Sequence, residues 1–120
     1  MPEEATEIAD KDQLYYRRFD KRLREHLKTL VTPELIEEHR AKPLGQHSDA
    51  LERVLNYFRA AGGENKYVLY ESKPGVEYKI IATTGIKGTP PRDVDDVVYT
   101  NKDEALHAVF LKRVQDLMDS

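Results

Sequence analysis

The side chains with the makings of chemistry are four histidines, His26, His39, His47 and His107, in a chain that has no cysteine. The missing thiols exclude disulfides, thiolate metal sites and cysteine nucleophiles. A helical zinc pair needs two ligands at i and i+4 and a third from elsewhere, and no two of these histidines have that spacing. Glu38-His39 and His47 can meet across a Pro43–Gly45 turn. The simpler reading puts His39 at a helix C-terminus, where a partly charged imidazole complements the dipole. His47-Ser48 lacks the strained turn and oxyanion donors of a serine nucleophile, so Ser48 reads as a helix cap. Gly85-Ile86-Lys87-Gly88 matches a G-x-x-G clamp, but it follows a strand and runs into Pro90-Pro91, so a plain turn is expected. The residues thus offer no catalytic, cofactor-binding or metal-binding set.

Two other clusters suggest contact with a partner. Tyr15-Tyr16-Arg17-Arg18-Phe19 interleaves aromatics with bases, as single-strand nucleic-acid binders do. On a helix, however, Tyr15 and Phe19 fall on the apolar stripe, leaving Tyr16, Arg17 and Arg18 around it. In Asn56-Tyr57-Phe58-Arg59, Phe58 belongs to the core and Tyr57 and Arg59 to the flanks. Tyr and Arg are enriched where proteins dock. Tyr15, Tyr16, Arg17, Arg18, Tyr57 and Arg59 are therefore the expected interface.

These residues sit in 120 positions, which fits one domain, with 39% apolar and 34% charged residues. The net charge of −3 gives no global attraction to nucleic acid. The charge is uneven: Met1 to Asp10 is acidic, and the stretch from Lys11 to Lys28 is rich in bases. No apolar run approaches the roughly 20 residues needed to cross a bilayer, and the N-terminus is unlike a secretory leader. A cytoplasmic protein without membrane contact is expected.

The periodicity predicts a flexible acidic arm over residues 1–11 and a single α+β domain over residues 12–120. Tyr15, Phe19, Leu23, Leu27 and Leu30 form one helical stripe. Thr32-Pro33-Glu34 starts a second helix, which ends near Ala41. Ser48 or Asp49 caps a third, with Glu52 placed to complete a capping box from Asp49, and its stripe is Leu51, Val54, Leu55 and Phe58. Beyond Gly63 the period changes to that of strands. Lys66 to Glu71 and Val76 to Ala82 flank the turn Ser72-Lys73-Pro74-Gly75, and a third strand is expected around Val97 to Tyr99. Thr100 caps a last helix that carries Leu106, Val109, Phe110, Val114 and Leu117. The result is a helical N-terminal half packed on a small antiparallel sheet with a C-terminal helix, β-β-β-α.

The segment Glu37-Glu38-His39, Ala41, Pro43, Gly45, His47-Ser48, Leu51, Arg53-Val54 and Asn56-Tyr57-Phe58-Arg59 resembles the central signature of the small (α) subunit of N,N-dimethylformamidase. Lys66-Tyr67 and the run Glu104-Ala105, His107 to Arg113 and Asp116 resemble its C-terminal signature. The resemblance implies an accessory subunit of a heteromeric amidohydrolase that cleaves N,N-dimethylformamide, or a related small amide, to dimethylamine and formate. It implies a large catalytic partner subunit that carries iron, with repeated small–large pairs in the assembly and no cofactor in this chain. The alternative from another class is a stand-alone protein- or nucleic-acid-interaction module that uses the basic first helix.

Overall fold

A computed structural model of the chain describes residues 18–60, 66–84 and 86–120. Helix α1 covers residues 18–30 within that range, and α2 (Pro33–Ala41) and α3 (Asp49–Ala60) follow. Three antiparallel strands come next, β1 (Lys66–Lys73), β2 (Glu77–Thr83) and β3 (Arg92–Asp93), then α4 (Lys102–Asp119). The sheet order is β1-β2-β3. The fold is α+β with β-β-β-α at its C-terminal end, as the periodicity predicts.

Helix α4 is the wall shared by two layers. Phe110, Val114 and Leu117 join Leu27, Leu35, Leu51, Val54 and Phe58 in one buried cluster with α1, α2 and α3. The sheet buries Tyr78, Ile80 and Ala82, while Glu77, Lys79, Ile81 and Thr83 alternate with them on the other face. This is the period-2 pattern of a sheet covered on one side. Val68 and Tyr70 of β1 are 39% and 52% exposed on the uncovered face.

Local chemistry sets most element ends. Thr32 Oγ1 accepts from the Leu35 N–H and Pro33 takes the first helical position of α2. In the hairpin, Val76 N–H donates to the Lys73 carbonyl across Pro74-Gly75, and Gly75 takes a φ of 71°. Proline followed by a left-handed glycine is the signature of a type II turn.

The structure corrects three local expectations. The apolar stripe of α1 holds at Leu23, Leu27 and Leu30, but Phe19 is 57% exposed. Asp20 already meets Tyr57 in the last turn of α3, so no described helix extends far enough to cover Phe19. The third strand lies at Arg92–Asp93 rather than Val97–Tyr99. Asp95 accepts from the Val97 N–H and pairs with Lys112 at 2.9 Å, which turns the chain off the sheet. Val97 and Val98 are left exposed, and only Tyr99 returns, to bridge Tyr78. Finally, α4 is capped by Asn101, whose side chain accepts from Glu104 N–H, and not by Thr100. The expected arm over residues 1–11 lies outside the described residues.

Candidate functional site

Three histidines far apart in sequence converge where α2, the start of α3 and α4 meet. His39 is 4% exposed and stacks on Phe110, with centroids 4.0 Å apart and planes 14° from parallel. Its Nδ1 lies 2.9 Å from Nδ1 of His107, so one ring donates and the other accepts. Burial first, then the neighbouring His107 and His47, pushes the His39 pKa down to about 4. Burial lowers that of His107 as well, helped by Arg40. A His39 held neutral in the core corrects the expectation of a partly charged imidazole serving the helix dipole. His47 points Nε2 at the Lys42 carbonyl, 2.6 Å away, so that nitrogen carries a proton; its Nδ1 faces Glu52 at 3.3 Å.

The Nδ1 atoms of His39 and His107 hold each other, and His47 is held by the Lys42 carbonyl and Glu52. Among the described residues no group of three or more His, Cys, Asp or Glu side chains is placed to hold a metal ion. Glu38 and His47 do approach each other across the Pro43–Gly45 turn, but Glu38 is engaged by Ser48.

That engagement is a capping box built from two helices. Ser48 donates to the Glu38 carboxylate from both its N–H and its Oγ, each at 2.6 Å, while Oγ accepts from Leu51 N–H. The sequence suggests Glu52 as the box acid, yet Glu52 faces His47 and Arg59 instead. The two bonds from Ser48 hold the Glu38 carboxyl below the usual carboxylate range. Glu38→Ala frees the cap of α3 and is expected to cost about 1–2 kcal/mol. Urea midpoints of Glu38→Ala, Ser48→Ala and the double variant check this. Additive losses would show that the two residues are uncoupled.

Of the six expected interface residues, Arg18, Tyr57 and Arg59 lie among the described residues, the first on α1 and the other two on α3. Tyr15, Tyr16 and Arg17 lie outside the described residues, and Arg18 is exposed at the start of described α1. Tyr57 is half-buried rather than exposed: its hydroxyl donates to Asp20 at 3.0 Å, tying α3 to α1. Burial and then Asp20 push its pKa up to about 12. Asp20 also pairs with Arg24 at 2.9 Å. Arg59 is exposed and turns back to Asn56 at 2.9 Å and Glu52 at 3.9 Å. Residues two apart on a helix leave on different sides, so Tyr57 faces α1 while Arg59 shares the side of Leu55.

On the Leu55 side a groove of about 290 Å³ opens between α3 and β1, floored by α4. Arg113 crosses it and donates to the Tyr67 carbonyl at 2.7 Å. Sequence reading names Arg113 only as part of the C-terminal signature and gives it no role, because on α4 it is one more basic residue. Only the packing of α4 under β1 half-buries it.

Fold and site together define a small α+β domain in which His39, the buried polar residue among those described, stacks in the core on Phe110. The profile of the N,N-dimethylformamidase alpha subunit family matches residues 14–120. Two similar proteins are the N,N-dimethylformamidase alpha subunits of an Alcaligenes species and of Paracoccus aminophilus. Each is 35% identical over 113 residues, or 90% of this chain, and the match covers 84% and 79% of their respective lengths. The chain belongs to the N,N-dimethylformamidase alpha subunit family.

Proposed function

We propose that the chain is the non-catalytic small subunit of a heteromeric amidohydrolase that cleaves N,N-dimethylformamide, or a related small amide, with water to dimethylamine and formic acid. The family match across residues 14–120 carries this reading. The histidine arrangement supports it, since the ring nitrogens that approach one another are engaged in structural contacts. Catalysis and iron belong to the large partner subunit, in the cytoplasm, and this chain stabilises or completes that partner. Arg18 on α1 and Arg59 on α3 are proposed as contacts to it, together with Tyr15, Tyr16 and Arg17, which precede Arg18 in the sequence. Tyr57 then acts from behind, by fixing α1 to α3.

The test is co-expression with the large subunit. The two chains are expected to co-purify in fixed proportion, and dimethylamine release and iron are expected in the complex. The small chain alone is expected to show neither. Amide hydrolysis by the isolated chain, or one tightly held metal per chain, would overturn the reading.

A further inference from the structure

We infer that the outer edge of β1 pairs with the same edge of a second copy of this chain, antiparallel about a two-fold axis at Leu69, joining two sheets into one of six strands. This goes beyond the pairing with a large subunit.

Among the described residues no strand pairs with this edge of β1, and its hydrogen-bonding groups can be assigned. Tyr78 exchanges both backbone bonds with Tyr99, and the Ile80 carbonyl accepts from Val94 N–H, so these residues of β2 face away from β1. Their cross-strand partners, Glu71 and Leu69, therefore occupy the wide, non-bonded positions of the β1–β2 ladder. They turn their N–H and C=O groups outward, and so does Tyr67 opposite Ala82. The outward Tyr67 carbonyl is the one that Arg113 reaches. No described residue of the chain takes the outward groups of Leu69 or Glu71. An unpaired edge of this kind is a template for another strand.

The chain supplies the matching strand. Outward positions 67, 69 and 71 are symmetric about Leu69, so a two-fold there sets Leu69 against Leu69 and Tyr67 against Glu71 of the other copy. Glu71 then arrives beside Arg113, on the α4 side of the sheet, because Glu71, Leu69 and Tyr67 share a face with the buried Tyr78, Ile80 and Ala82. Among the described residues no carboxylate pairs with Arg113, and burial lowers its pKa. A half-buried guanidinium gains most from a carboxylate that it can meet bidentately. On the open face the same register sets exposed Val68 against Tyr70, covering both. Both contacts occur twice, as an isologous interface requires.

The absence of native cysteine makes the test direct. Leu69→Cys puts two thiols on the axis, within disulfide reach, whereas Val76→Cys, at the exposed hairpin tip, is the control. Under mild oxidation Leu69→Cys is expected to give disulfide-linked dimer at least about tenfold faster than Val76→Cys, in the full chain and in its complex with the large subunit. Glu71→Arg should abolish dimerisation by sedimentation, and Glu71→Arg with Arg113→Glu should restore it. Linkage at Leu69 no faster than at Val76, or in the free chain but not in the complex, would overturn the inference, the latter by showing that the large subunit occupies the edge. Failure of the double exchange to restore the dimer would overturn the proposed register.

Discussion

Phe110→Ala is expected to lower stability by about 3–5 kcal/mol, a loss at the top of the range for truncating one side chain. Phe110 is 3% exposed, meets Phe58 edge-on at 6.0 Å and carries the His39 ring on its face. It lies on α4, the wall between helices and sheet, so neither layer can close over the cavity without moving the other. Phe58, at 6% exposure, should cost a similar amount. A loss of this size takes a large share of the roughly 5–15 kcal/mol that holds a domain folded. Denaturant midpoints measure it. Unchanged midpoints for both variants would show that the two rings do not share a core.

The second large effect is on acid stability. His39 has its pKa lowered from 6.5 to about 4, so the unfolded chain takes up the proton first as pH falls. The stabilisation is fully present above the unfolded value and is lost progressively as pH drops through about 6.5 towards 4. Linkage puts the loss at about 2 kcal/mol between pH 7 and pH 5. The groups facing the ring work in the same direction: His107 and His47 repel a proton on it. Glu37 and Arg40 act on His107 with opposite signs. His39→Phe keeps the stack on Phe110 and removes the titrating group, so its stability should change less between the two pH values than that of the parent. Parallel pH profiles for the two proteins would show that His39 is not the group responsible.

The helices are legible from sequence because their stripes repeat locally and their caps are near neighbours. Thr32 with Leu35 is a contact across three residues. The hairpin is legible because Pro74-Gly75 dictates its turn. Phe19 reads as core and is not, because periodicity shows which side of a helix is apolar without showing where the covering helix ends. Val97-Val98 reads as a strand and is not, because β propensity is weaker than the Asp95 turn that Lys112 fixes from α4. Glu38 displaces Glu52 from the capping box because a carboxylate ten residues away reaches Ser48 once the Pro43–Gly45 turn folds back. For the site, sequence alone rules out thiolate chemistry and, through its resemblance, points to the family. Tertiary structure alone brings His39 within hydrogen-bonding distance of His107, 68 positions away, and makes Arg113 a half-buried cation beside an open strand edge. Burial and long-range contact decide what such groups do, and neither is a property of the residues next to them in the chain.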